Sequence, residues 1–574
     1  MVYNIRGPTP FSNQRQIPIA KEPEPVNLRR LRPLIILPSL MLLLLPAPSP
    51  AVSRGEVVAA VVRALGLPPW SGKEHFADVP PHHPLASFIE TASALGILLP
   101  GDHFHPDMES TRAEALGFAF LAMGWRQEGE LVRALDHSLD PALPPFLACY
   151  YRIAEGMNPA PPRELLSQGR ENCSPLDLQR LVAWLKTCRA RRPQWDARYP
   201  GECGDLVVHR EGVGTPPAGW SIAVQGLLTE GEARTLAAQF KKQGLKAAVG
   251  DDGFAFAVRI GPYDHYMKAW KDLARVPMKY NPSIVPSGGG SESLFWVAIV
   301  GRPGELRGRI LLATALGKYR LPLSRIAAAS RVEGAVNAGF FGGKKIIGTL
   351  ISEGHPVAEA YKNRSAIGWN SRGEVYFGNG AYRRHIEPGP GKAPRPESAP
   401  QPQAGPPIPP PDPLWILPSA PSPSPEPEAE PGGSDPYPSF TPPARWELVW
   451  ADDPMGRMDT VIQAGPMLLQ HGVAVNPDEG FSKSTVIMRH PRTFVGYDGD
   501  RLWWVVVDGR NPWHSMGLTL EETKRLAANL GLSFALNMDG GGSSTLWWHG
   551  VVVNAPSGGT ERMIPYGVGF GGGL

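Results

Sequence analysis

The sequence predicts a multidomain protein: an all-α block of helical repeats, a small α+β sandwich, and a C-terminal α/β domain built on a mixed sheet. Three observations carry this reading. Two S/T-x-x-E helix caps, Ser53-Arg54-Gly55-Glu56 and Thr111-Arg112-Ala113-Glu114, recur with a period of about 60 residues. Strand-like and helix-like segments alternate between 218 and 277. Beyond 294, apolar strand patterns end in glycine-punctuated carboxylates.

The 574 residues are too many for one core, and 64 Pro with 64 Gly imply linkers as well as turns. A net charge of +3, with no long Lys/Arg run, excludes nucleic acid as a partner. Arg29, Arg30 and Arg32 precede the apolar run Leu34 to Leu45, followed by Pro46-Ala47-Pro48-Ser49-Pro50-Ala51. This is the pattern of an export signal over 1–51, and the apolar run is shorter than the ~20 residues of a membrane-spanning helix. The expected location is therefore secreted, at the bacterial cell surface or wall. Four cysteines, Cys149, Cys173, Cys188 and Cys203, cluster in one stretch. In an exported chain they predict two disulfides in any of three pairings, with zinc ligation or free thiols as alternatives.

Between the two caps lie Phe76-Ala77-Asp78-Val79, an apolar helix from Leu85 to Leu95, Gly96-Ile97 and Phe104-His105-Pro106-Asp107. A fainter third copy ends at the cap Ser174 to Asp177. Over 52–205 the chain resembles the S-layer homology family, which implies noncovalent anchoring to a secondary wall polymer. A helical packing module without a ligand is the alternative. The next unit, 218–277, has strands at Ile222–Gly226 and Phe254–Ile260 and helices at Glu232–Gln243 and His265–Ala274. Its Val258-Arg259-Ile260-Gly261-Pro262-Tyr263 resembles the SPOR family, which implies binding to peptidoglycan glycan strands.

The segment 294–574 is strand-rich, interrupted by a proline-rich insert at 388–443 that cannot bury a core. Leu502 to Val507 is a continuous apolar run ending at Asp508, and Phe534 to Met538 ends at Asp539. A capped helix opens at Thr519-Leu520-Glu521-Glu522 and closes at Gly531 between them, predicting a crossover of parallel neighbours with both aspartates on one rim. Gly540, Gly541 and Gly542 can bring backbone N–H groups to a phosphate, Ser543 and Ser544 add hydroxyls, and Arg492 and Arg562 add forked cationic donors. Paired carboxylates suit acid and nucleophile or base roles at a sugar–phosphate bond. His514 and His549, each in a Trp-rich loop, are assigned to packing or sugar stacking.

Five elements in order resemble the phosphodiester glycosidase family: Asn337-Ala338-Gly339-Phe340-Phe341, Arg492-Thr493, Asp508-Gly509-Arg510, Asp539 to Ser544, and Asn554-Ala555-Pro556-Ser557 with Arg562; Ala464-Gly465-Pro466 also fits. The resemblance implies hydrolysis of a sugar-1-phosphodiester to free sugar and phosphomonoester. It implies Asp508, Asp539 and Arg492 as catalytic, with Asn337, Gly465, Arg510, Gly540, Gly541, Gly542, Ser543, Ser544, Asn554, Ser557 and Arg562 binding a glycan phosphodiester. No cofactor is implied, and a metal requirement stays open. The alternatives are a noncatalytic wall-binding scaffold and a muramidase-like hydrolase.

Overall fold

The structure, a computed structural model, describes residues 51–572 apart from 71, 73–75, 99–100, 228–229, 252–255, 281, 288–289, 380–383, 386–446 and 449–453. All but Ala51 of the expected export signal, and the proline-rich insert, lie outside the described residues. No helix among the described residues is long and apolar enough to cross a membrane.

The chain opens with helices α1 (Arg54–Leu65), α2 (Ala86–Ala94), α3 (Arg112–Ala122), α4 (Arg126–Leu135) and α5 (Pro145–Gly156), strand β1 (Met157–Asn158), and helices α6 (Arg163–Leu166) and α7 (Pro175–Arg191). Reciprocal capping boxes start α1 at Ser53/Glu56, α3 at Thr111/Glu114 and α7 at Ser174/Asp177, each satisfying two otherwise orphaned amides. These three helices pack on one another. Just before them, three backbone bonds close a ring: Val52 N to Cys173 O at 2.8 Å, Cys173 N to Ser110 O at 2.7 Å, and Ser110 N to Val52 O at 2.9 Å. All four cysteines are free and buried, where disulfides were expected. Burial pushes the thiols of Cys149, Cys173 and Cys188 up to about 12, so they act as small apolar core groups.

The expectation of an all-α repeat block and of a C-terminal α/β domain on a mixed sheet is overturned: among the described residues the strands pair antiparallel throughout, and some of them come from the N-terminal region. Strands β1, β2 (Gln194–Pro200) and β3 (Asp205–Glu211) leave the helices and join a nine-stranded sheet whose other members come from the C-terminal half. One face of β2 is largely polar and exposed, so its sequence carries a weak strand signal, whereas β3 alternates with Leu206, Val208 and Arg210 turned inward.

Next comes a four-stranded antiparallel sheet with two helices: β4 (Gly219–Leu227), α8 (Glu230–Lys242), β5 (Ala247–Asp251), β6 (Phe256–Tyr263), α9 (Tyr266–Leu273) and β7 (Ser283–Ser287), in the order β5-β6-β4-β7. Its core holds Ile222, Val224, Phe240, Val258 and Ile260. Trp220 Nε1 donates to Ala94 O on the helical side at 3.0 Å, and Ser283 Oγ donates to Gly558 O in the C-terminal half at 2.7 Å.

Strand β8 (Leu294–Gly301) pairs with β3 on one side and Leu502–Val507 on the other, both antiparallel. Leu502–Val507 and Phe534–Asn537 run in the same direction, yet they are not neighbours: Arg492–Tyr497 lies between them, antiparallel to each. The physical reason is the tight Asp498–Arg501 turn, which makes Arg492–Tyr497 and Leu502–Val507 a hairpin and so fills the place beside Leu502–Val507. The helix Leu520–Asn529 then carries the chain to the far side of that hairpin. Both faces of this sheet are covered. Val495, Trp504, Val506 and Leu536 join the largest core, while Phe494, Val505, Val507 and Ala535 pack with Leu520 and Ala527 of the helix. Truncating Leu536 to Ala would cost roughly 2–5 kcal/mol.

Candidate functional site

Because Leu502–Val507 and Phe534–Asn537 point the same way, Asp508 and Asp539 emerge at the same end of the sheet. Their surroundings differ sharply. Asp508 is buried and both its oxygens are occupied. Oδ1 accepts from Asn554 Nδ2 at 2.8 Å, and Oδ2 accepts from Ala555 N at 2.7 Å and lies 3.0 Å from His514 Nε2. Asn554 also donates to Ser544 O at 3.1 Å and accepts from Leu546 N at 2.8 Å, so it ties Asp508 to the glycine-rich turn.

Asp539 is buried too, and burial pushes its carboxyl up to about 6 against the opposing pull of Arg562, the Ser543 hydroxyl and the Gly540 amide. A carboxyl in that range holds or releases its proton near neutrality, as an acid–base group requires. Its backbone is fixed by Asp539 N donating to Ala338 O at 2.9 Å and Asn337 Nδ2 donating to Asp539 O at 2.6 Å. Asn337 Oδ1 accepts from Thr493 Oγ1 at 2.8 Å and Thr545 N at 3.0 Å, so Asn337 anchors the turn rather than facing outward. Tyr566 Oη, hydrogen-bonded at Gly339, borders Asp539.

The turn is packed by cations. Arg562 is 3 % exposed; its Nη1 donates to Ser543 Oγ at 3.3 Å, while Nε and Nη2 have no hydrogen-bond partner among the described residues. Arg320, half-buried, is held below the usual arginine range by burial and by nearby Arg562. Arg510, at φ 64°, lies over Gly541, with Nη2 3.3 Å from His490 Nδ1. Burial, Arg510 and Arg492 in turn lower the His490 pKa. A buried guanidinium with unmet donors, further arginines and a protonatable carboxyl lie together, an arrangement chemically able to receive an anion beside an acid.

Other expected residues take structural posts. Arg492 Nε donates to Leu518 O at 2.7 Å, and Nη2 donates to Thr485 O at 2.8 Å and Met488 O at 3.0 Å. Burial and Arg510 lower its pKa to about 10. This guanidinium holds three backbone carbonyls through Nε and Nη2. Gly541 N donates to Pro491 O at 2.8 Å, so that amide is used internally. Ser544 Oγ lies 3.3 Å from Thr493 Oγ1, and the buried Ser557 hydroxyl has no partner among the described residues. Gly465, at φ 112°, donates to Asn537 O at 2.8 Å, and a Cβ there would overlap the Glu479 carboxylate. Sequence reasoning passed over Arg320, Tyr566, Glu128 and the real post of His514. No motif spacing marks the first three, and a buried histidine in a Trp-rich loop reads as packing until its partners are seen. Among the described residues no cluster of His, Cys, Asp or Glu could hold a metal ion.

These features define a buried, arginine-lined site built on a glycine-rich turn. Residues 433–571 match the family model for phosphodiester glycosidases, and residues 216–286 match that for the SPOR domain. The chain thus carries a phosphodiester glycosidase-family domain toward its C-terminal end and a SPOR domain ahead of it. Among solved structures, a Burkholderia pseudomallei protein described as exported aligns at 16 % identity and TM-score 0.38, over 66 % of this chain and 96 % of its own. A hypothetical protein from Synechocystis aligns at 17 % and 0.35, over 66 % and 76 %. The zebrafish N-acetylglucosamine-1-phosphodiester alpha-N-acetylglucosaminidase catalytic domain, auto-inhibited by its pro-peptide, aligns at 16 % and 0.31, over 50 % and 76 %. A search of curated proteins finds no match.

Proposed function

We propose that this protein is a cell-surface glycosidase that hydrolyses sugar-1-phosphodiesters, such as N-acetylhexosamine-1-phosphodiesters on envelope polysaccharides, while bound to peptidoglycan. The observation that carries the reading is the pairing of Arg562, buried with donors to spare, and Asp539, a carboxyl raised to about 6, across one glycine-rich turn. Arg562, with Arg510 and Arg320, receives the phosphate. Asp539 hands its proton to the departing phosphate oxygen as the sugar C1–O bond breaks. Water supplies the new hydroxyl at C1, and its remaining proton restores the carboxyl. Asp508 acts by holding the rim together, since its oxygens are occupied. The SPOR domain supports peptidoglycan binding, and the helical block is proposed to add affinity for a secondary wall polymer.

Purified 52–574 incubated with a panel of sugar-1-phosphodiesters should release free sugar and phosphomonoester, and should sediment with purified cell walls. An enzyme inert on the whole panel but still bound to walls would point to a noncatalytic scaffold.

A further inference from the structure

The loop 510–517 carries Arg510 and His514, and it is held from behind by the N-terminal half of the chain. A Cβ at Gly124 or at Gly214 would overlap the Trp513 carbonyl oxygen, so two backbones close on it from that side. Thr215 N donates to Pro512 O at 2.8 Å, and Arg210 on β3 donates from Nη1 to His514 O. Glu128 on α4 is wholly buried, with Oε1 2.9 Å from Arg210 Nε and 3.3 Å from His514 Nδ1. The other ring nitrogen of His514 is the one facing Asp508 Oδ2 at 3.0 Å. Guanidinium, carboxylate, imidazole and carboxylate therefore alternate in one buried run that joins β3 and α4 to the rim of the site.

Such a run is costly as mere packing, because apolar residues of similar volume serve a core as well or better. What it does supply is orientation. The imidazole is hydrogen-bonded to Asp508 through Nε2, while Nδ1 faces Glu128 as a charge contact at 3.3 Å without hydrogen-bond geometry, so the ring is held between two carboxylates. Burial alone would lower the His514 pKa, but Glu128 and Asp508 together raise it; Glu211 beside Arg210 and Glu130 beside Glu128 are further charged groups around this run. Burial would likewise raise Glu128, and Arg210 and His514 bring it down.

We propose that Glu128 is a positioning residue for the site: it orients His514, which holds the Asp508 carboxylate and sets the loop bearing Arg510. The helical block is then part of the working enzyme as well as its tether. This rests on the glycosidase reading above.

The test uses 52–574 carrying Glu128→Gln, Glu128→Asp, His514→Gln, and the Glu128→Gln/His514→Gln pair. Glu128→Gln should lower kcat/KM about tenfold on the phosphodiester substrate, the scale of a slight misplacement. Glu128→Asp should recover part of that, and the double variant should match His514→Gln alone. Independently of turnover, NMR of 13C-labelled histidine should show the His514 ring, assigned by its loss in His514→Gln, titrating at lower pH in Glu128→Gln. Wild-type kinetics for Glu128→Gln, or additive losses in the double variant, would overturn the proposal. An inactive wild type with the His514 shift present would instead sink the glycosidase reading and leave the buried coupling standing.

Discussion

The guanidinium of Arg562 lies against the backbone of Gly542 so closely that a Cβ added there would stand 2.6 Å from Nη2. The absence of a side chain at Gly542 is therefore what lets the cation reach the turn. Gly542→Ala should displace Arg562 without breaking the fold, since the backbone of Gly542 is not in the left-handed region. The expected result is a rise in KM of about tenfold, the scale of one charge-assisted hydrogen bond, with the unfolding midpoint little moved. An unchanged KM would remove Arg562 from phosphate binding.

Asp539→Asn keeps the shape of the side chain and removes its proton exchange. Turnover should fall ~10²-fold or more. In the wild type the protonated acid is the active form, so rate should decline as pH climbs through about 6, and this limb should vanish in the variant. Stability follows the same sign. The folded carboxyl holds its proton between the ordinary value of 3.8 and about 6, where the unfolded chain has lost it, so wild-type stability falls over that window. Urea titrations at pH 4 and pH 7 should show a larger drop in the wild type than in Asp539→Asn.

Arg492→Lys separates support from binding. Its three carbonyl partners require a fork that lysine lacks, so the variant should lose about 1–3 kcal/mol of stability. KM should hardly change. A large KM effect in a fully stable variant would return Arg492 to the substrate.

Replacing 388–443 by a short Gly/Ser loop should leave folding and turnover nearly intact. Arg384–His385 pairs antiparallel with Glu447–Leu448, so the segment leaves and re-enters the domain at adjacent points. Shortening such a loop changes closure entropy only slowly. Loss of more than about 2 kcal/mol in chemical denaturation would show that the insert packs into the domain.

Much of the local structure was legible. The caps at Ser53, Thr111, Ser174 and Thr519 announce their helices because capping is a short-range hydrogen-bond pattern. Leu502–Val507 and Phe534–Asn537 were readable as strands from apolar runs, and so was their shared direction. Their separation by Arg492–Tyr497 was not, because strand order is set by pairings between distant segments that no local pattern encodes. Arg492 illustrates the same limit at the site. Its residue type suits a phosphate, but only the fold shows its Nε and Nη2 donating to Leu518, Thr485 and Met488. The cysteines misled through compartment logic: each was expected to pair, and each is instead buried as a free thiol.

Strand β8 is paired on one side to residues 205–211 and on the other to 502–507, segments made far apart in time on the ribosome. A nascent chain that ends at β3 holds Glu128 and Arg210 without His514, and holds β3 paired to β2 but without β8. The nine-stranded sheet therefore has high contact order, and it closes only once the C-terminal half has been made. For a chain exported to the cell surface, as proposed above, this is an advantage, since translocation needs a polypeptide that has not yet closed.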